Sequence, residues 1–226
     1  GGGEREWPQV IYINGPSSSG KTTLRKGLQN RLKPKVTYLS TGIDILLREI
    51  LPEHCFLAND ALRDLTKQDT DWFYWEPTSI NDSHSSHPTS VTLRCGPKGR
   101  KAWLGLVECT LGLVRAGNHV IVDDVCFEGE WQLEAWKSRF ELEGVRVVMV
   151  GLHCHIDSLV KRERERGDRK MGSAMVQASR VHGLGKDLNK VYDIVIDTRN
   201  TTPEDAVAQV VEVCLKKMIS RAKTSP

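Results

Sequence analysis

Short apolar runs alternate along this chain with longer stretches whose apolar residues recur every three or four positions. That is the pattern of a parallel sheet with helices on both faces. Val10 to Asn14 predicts a buried first strand. From Thr22 to Leu32, Leu24, Leu28 and Leu32 share one helical face, and Pro34 stops the helix. A shorter strand over Val36–Leu39 follows, then a helix over Ile43–Leu51 ended by Pro52. Lys101–Ala116 reads as a strongly apolar helix carrying Trp103, Leu106, Val107, Leu111 and Val114, with Gly117 placed to close its end. Further strands are expected over Val120–Asp124, Val145–Leu152 and Ile194–Ile196, and further helices over Trp131–Glu141 and Pro203–Met218. Asp157 is placed to cap a basic helix after the Val145–Leu152 strand.

The stretch from His54 to Arg100 departs from this rhythm. It holds Trp72-Phe73-Tyr74-Trp75 and a polar run over Ser79–Ser90 without clear periodicity, as inserted functional loops and lids do.

Composition narrows the class without choosing the chemistry. The 226 residues suffice for one domain with a sizeable core, and 39% hydrophobic with 27% charged residues excludes a wholly disordered chain. A net charge of +3 is too mild to demand a nucleic-acid partner. No apolar run approaches a membrane span, and Gly1–Trp7 lacks the basic and apolar regions of a secretory leader. Six scattered cysteines without a C-x-x-C pair fit free thiols in a reducing compartment, so a cytoplasmic protein is expected.

The sharpest chemical signal is Gly15-Pro16-Ser17-Ser18-Ser19-Gly20-Lys21-Thr22, which matches G-x-x-x-x-G-K-[ST] directly after a strand and at the start of a helix. Glycines let the backbone wrap phosphates closely, and the helix presents its positive end to the same anion. Lys21 is expected on the β- and γ-phosphates and the Thr22 hydroxyl on Mg²⁺. Gly15, Ser17, Ser18, Ser19, Gly20 and Thr23 complete the expected nucleotide cradle. The cofactors are therefore ATP (or GTP) and Mg²⁺.

Asp123 and Asp124 close a strand at the edge where such folds gather metal and attacking group. One of them should hold a metal-bound water, with Asp123 slightly favoured; Asp124 is also a candidate for the substrate. Asp44, just after the second strand, is a candidate base for an acceptor hydroxyl, although an aspartate in a helix's first turn is also common for its dipole alone. Arg162, Arg164 and Arg166 alternate with glutamates. Arg162 and Arg166, four apart, share a face, and as a lid they could close on transferring phosphate; alternation of this kind is otherwise a solvated surface.

Together these segments resemble the chloramphenicol phosphotransferase-like family of P-loop kinases, related to shikimate and adenylate kinases. The resemblance rests on Ile13 to Thr22, Gly42-Ile43-Asp44, Ile121 to Val125, Val150 to Cys154, Arg162-Glu163, and Arg166-Gly167-Asp168-Arg169. It continues through Gln177, Val181-His182 and Tyr192-Asp193. It implies a three-layer α/β P-loop NTPase fold, with a five-stranded parallel sheet flanked by helices, a lid helix and an inserted substrate-binding segment. It also implies ATP-dependent phosphorylation of a hydroxyl on an antibiotic-like small molecule, with Asp44 as base, Arg162 and Arg166 in the lid, and Arg199 near the adenine. A single kinase domain is expected over 8–220, with 54–100 as its insertion and 156–182 as its lid region. The extra length between Asp44 and Asp123 departs from the family pattern, so the reaction transfers better than the acceptor.

Trp72 and Trp75 are candidate acceptor walls or local packing, and His182 is a candidate substrate contact. His84 and His87 lack further ligands nearby, and His153, Cys154 and His155 suit structural roles. The partners expected are a nucleoside triphosphate and a small hydroxyl acceptor, with no membrane, nucleic acid disfavoured and the oligomeric state open. The competing functions are an NTP-regulated binding module and a kinase of nucleic-acid ends.

Overall fold

The computed structural model describes residues 7–56, 67–78, 90–166, 173–182 and 187–222. Its strands are β1 (Val10–Asn14), β2 (Tyr38–Gly42), β3 (Phe73–Thr78), β4 (Ser90–Cys95), β5 (His119–Asp124), β6 (Val147–His153) and β7 (Ile194–Asp197). Five of them form a parallel sheet in the order β2-β5-β1-β6-β7, while β3 and β4 pair antiparallel apart from it. From β1 the chain crosses to the edge strand β2, returns inward to β5, and then passes β1 to reach β6 and β7, so the carboxyl edge beside β1 opens into a crevice. Register aligns Asn14 with Asp124 on one side and Gly151 on the other.

Alternation along β1 builds both helical layers. Ile11 and Ile13 face α1 (Lys21–Leu32) and α8 (Pro203–Ala222), packing with Leu24, Leu28, Val210 and Cys214. Val10 and Tyr12 face α3 (Pro97–Arg115) and α4 (Glu130–Leu142), packing with Trp103, Leu111, Trp136 and Phe140. Successive Cβ atoms on a strand point oppositely, and burial on both faces makes β1 apolar throughout.

Several boundaries differ from the sequence expectation. β2 lies at Tyr38–Gly42 rather than Val36–Leu39, because Thr41 and Gly42 pair with Val122 and Asp123 despite their weak apolar signal. The helix expected over Ile43–Leu51 is α2 (Ile43–Ile45) running into a π-helical turn, Leu46–Ile50, closed by Leu51 N–H on Leu46 O at 3.0 Å. α3 starts at Pro97 rather than Lys101, with proline in the first turn, where its missing N–H costs nothing. Asp157 does not cap: it sits inside the first turn of α5 (Ile156–Arg166), beside His155 Nδ1 at 3.3 Å. Part of the 54–100 stretch is ordered strand, with Phe73 and Trp75 buried alongside Phe56 and Phe127.

α6 (Ser173–Arg180) packs on α5 and on β4, and α7 (Leu188–Val191) leads into β7. No helix among the described residues is long and apolar enough to cross a membrane.

Candidate active site

β1 delivers the chain into a turn that only a small first residue can make. A Cβ on Gly15 would lie 2.8 Å from Ser19 Oγ and 2.9 Å from Leu152 Cβ. Ser18 (φ 61°) and Gly20 (φ 97°) both take left-handed backbone, a conformation that turns successive amides toward one concavity. Lys21 is buried and donates from Nζ to Pro16 O at 2.9 Å. Ser18 Oγ and Ser19 Oγ are buried with no hydrogen-bond partner among the described residues. Leaving such groups unsatisfied is costly in a finished core and suits a cradle for an anion.

Opposite the cradle, Thr22 Oγ1 donates to Asp123 Oδ2 at 3.0 Å, and Arg25 Nε lies 3.6 Å from the same oxygen. A hydroxyl and a carboxylate are the hard oxygen donors that Mg²⁺ takes, so the pair fits that ion. The close approach of β2 fixes this carboxylate's strand: a Cβ on Gly42 would fall 2.0 Å from Asp123 O.

A cavity of about 550 Å³ joins these groups. Its wall includes Ser18, Ser19, Gly20, Lys21, Thr22, Thr23, Asp44, Asp123 and Arg162, so residues distant in sequence face one volume. Ile43, Val125, Leu152, Pro203 and Ala206 supply its apolar surface. Arg162 reaches in from α5 and is braced by the turn after β7, donating to Thr198 O at 2.8 Å and Thr198 Oγ1 at 3.2 Å.

Other candidates stand away from that wall. Asp124 is fully buried beneath it, accepting from Trp136 Nε1 at 2.6 Å and from Val125 N–H at 2.8 Å. Burial raises its carboxyl pKa to about 6, against the opposing pull of the Trp136 bond. Trp72 and Trp75 do not line the cavity, and Trp75 packs into the core. Arg199 is exposed, with its amide bonded to Asp197 Oδ1. Arg166 ends α5, but its side chain and residues 167–169 lie outside the described residues, as do His84 and His87.

His182 belongs to a buried polar chain. Asn14 Nδ2 donates to Tyr192 Oη at 2.8 Å, so the tyrosine hydrogen goes to His182 Nδ1 at 2.9 Å, and His182 Nε2–H donates to Leu152 O at 3.0 Å. Only neutral imidazole satisfies all three bonds, and burial lowers its pKa to about 4. Tyr192 in turn covers Gly151, where a Cβ would meet the ring at 2.7 Å.

Two participants were not among the site residues expected from the sequence. Arg25 follows Thr22 by three positions on α1, a helical spacing that could have placed it near Asp123. Gln177 accepts the Ser17 N–H at 2.7 Å across 160 positions of sequence.

A family model described as "Chloramphenicol phosphotransferase-like protein" matches residues 8–215. Two curated proteins from strains of Mycobacterium tuberculosis, both provisionally named O-phosphotransferase, are 28% identical over 204 residues, covering 90% of this chain and 81% of theirs. Among solved structures, a sugar kinase from Janibacter sp. is similar with TM-score 0.57 and 16% identity, over 92% of this chain and 95% of that one. A tunicamycin resistance protein of Deinococcus radiodurans is similar with TM-score 0.52 and 17% identity, over 92% and 95%. The Mycobacterium tuberculosis APS kinase in complex with AMPPNP and APS is similar with TM-score 0.53 and 10% identity, over 92% and 97%. At these identities the structural likeness is one of fold: the three-layer P-loop kinase architecture.

Proposed function

The chain belongs to the chloramphenicol phosphotransferase-like family, and on that premise we propose that it moves the γ-phosphate of ATP onto a hydroxyl of a small molecule, with Asp44 as the base. The observation that carries the reading is that Asp44 and the phosphate loop line one cavity, with Thr22 and Asp123 in the same wall.

Each residue then has a task. The amides of the loop and the orphaned Ser18 and Ser19 hydroxyls receive phosphate oxygens. Lys21 exchanges Pro16 O for phosphate oxygens, a shift within reach of a flexible ammonium. Thr22 and Asp123 would hold Mg²⁺, the carboxylate through water, and Arg25 keeps that carboxylate oriented. The ion, when bound, neutralises charge on the β- and γ-oxygens. Asp44 accepts the proton of the acceptor hydroxyl as its oxygen forms the bond to phosphorus and the bridging oxygen leaves with the diphosphate. Arg162 stays braced on Thr198 at the nucleotide's rim, where its charge faces the phosphates.

Mass spectrometry of hydroxyl-bearing metabolites and antibiotics incubated with protein, Mg²⁺ and either ATP or GTP tests this directly. The expected result is one acceptor gaining a single phosphate. In Asp44→Asn the transfer rate should fall about 10²–10⁴-fold while MgATP affinity stays within about twofold. Unchanged turnover in that variant would remove Asp44 from its role. Slow hydrolysis with no phosphorylated acceptor and a co-purifying protein would favour a nucleotide-regulated binding module, and a phosphorylated oligonucleotide end would favour a nucleic-acid kinase.

A further inference from the structure

The buried contact between α6 and the phosphate loop has no part in the chemistry outlined above. Ser17 occupies the third position of the loop and its N–H donates to Gln177 Oε1 at 2.7 Å, in a site that leaves Gln177 8% exposed. The next residue, Ser18, holds left-handed backbone without being glycine, which costs about 1 kcal/mol or more and persists only where neighbours enforce it. The Gln177 bond is the tertiary contact immediately before that kink.

α6 is itself tied down at both ends. At its start, Glu163 of α5 accepts from Ser173 Oγ at 2.9 Å and Ala174 N–H at 3.1 Å, a buried carboxylate at a helix N-terminus. At its far end, Val181 O accepts from Asn14 Nδ2 at 2.8 Å, the last residue of β1 before the loop. Glu163 adjoins Arg162, which stands in the cavity wall. β4 packs on the same helix. The helix therefore spans from the arginine helix and the inserted strand pair to the phosphate loop.

We propose that Gln177 is a positioning residue that sets the nucleotide-accepting shape of the phosphate loop, with α6 as the strut that couples that shape to α5 and to the inserted strands. The proposal rests on the kinase reading only for the identity of the ligand. Its mechanism is local: the glutamine amide pins the Ser17 N–H, and the pinned amide holds the Ser18 kink that directs the following N–H groups at phosphate.

The test uses purified full chain, MgATP binding by calorimetry, and amide hydrogen exchange of the loop, so no acceptor is needed. Gln177→Met keeps the length and removes the acceptor oxygen. It should weaken MgATP about tenfold, as one buried hydrogen bond is worth about that factor, and should speed exchange at Ser17 while the amides of β1 and α1 keep their protection. Gln177→Glu restores an acceptor, so it should return the Ser17 protection while still binding MgATP more weakly, through repulsion of the phosphates. Gln177→Asn, too short to reach the amide, serves if the methionine variant does not fold, and should behave as that variant does. A general loss of packing would speed exchange everywhere and leave affinity well below the melting range unchanged. MgATP affinity in both the Met and Asn variants within twofold of the parent would overturn the proposal. A parent protein that binds no nucleotide would instead overturn the kinase reading beneath it.

Discussion

The two faces of the sheet meet at its carboxyl edge with similar residue types and opposite fates. Asp123 and Asp124 are neighbours on β5, yet one side chain enters the cavity beside Thr22 and the other is sealed against Trp136. On the cavity side, the Ser18 and Ser19 hydroxyls have no partner among the described residues, and Lys21 is satisfied by a carbonyl of its own loop. On the α4 side, Tyr12, Asn14, Cys126, Tyr192 and His182 bond to one another or to fixed carbonyls. Strand alternation separates the two sets, and hydrogen-bond satisfaction gives them their roles. Polar groups whose bonds can be exchanged suit a ligand, as the proposed function requires; groups whose bonds are already spent suit holding the edge in shape.

The cavity side should respond most to loss of a charge. Lys21→Ala should cut phosphate transfer about 10³-fold, in the range of removing one preorganised donor to a developing anion, while the urea midpoint of unfolding changes little. Steady-state rates beside an unfolding curve measure both. A variant that unfolds readily but still transfers phosphate normally would place Lys21 with the structural set and break the division.

Next in size is a pH effect confined to the sealed side. His182 is held neutral in the fold, its pKa lowered from 6.5 to about 4. The unfolded chain therefore takes the proton first, and acidification from pH 6.5 toward 4 costs about 3 kcal/mol of stability. Asp124 opposes it: with its pKa raised from 3.8 to about 6, the folded chain takes the proton first, and stability rises by about 3 kcal/mol as pH falls through that window. In the parent protein the two slopes largely cancel between pH 6 and 4. His182→Gln removes one of them, so the variant should gain stability over that interval relative to the parent, as read from urea midpoints at several pH values. Parallel curves would mean that the imidazole is not sealed.

What was legible in the sequence divides along the same line. The phosphate loop is a contiguous run whose spacing reports its own geometry, and β1, β5 and β6 each announce themselves by a run of at least three apolar residues. Asp44 was readable as a candidate because it follows β2 directly, although β2 itself ran later than expected, its end written in Thr41 and Gly42. The inserted strands were missed although Phe73 and Trp75 alternate with Tyr74 and Glu76, a period of two hidden by the run of four aromatics. The bonds of the sealed network were not legible, although the resemblance ran through Gln177, His182 and Tyr192. Nothing local marks Gln177 as the partner of a backbone amide 160 positions away, or distinguishes Asp124 from Asp123 until Trp136 is folded over it.

Trp136→Phe is the mildest probe and the most selective. Phenylalanine keeps an aromatic ring to stack on Phe140 and meet Tyr12, which lie 5.4 Å and 5.5 Å from the indole. What it removes is the N–H at 2.6 Å from Asp124 Oδ2, leaving the buried carboxylate with the Val125 amide as its remaining donor. A hydrogen bond to a charged group contributes about 1.5–3 kcal/mol, so the variant should lose about 2 kcal/mol at pH 7.5. That bond lowers the Asp124 pKa, and without it the group should titrate above its present value of about 6. Because the lost bond served the ionised form, the destabilisation should shrink as the pH falls below 6 and the carboxyl is protonated in both proteins. MgATP affinity should stay within about twofold, since neither Trp136 nor Asp124 lines the cavity. A tenfold weaker nucleotide with unaltered stability would show that the sealed face reaches the ligand, and the separation between the two aspartates would fail.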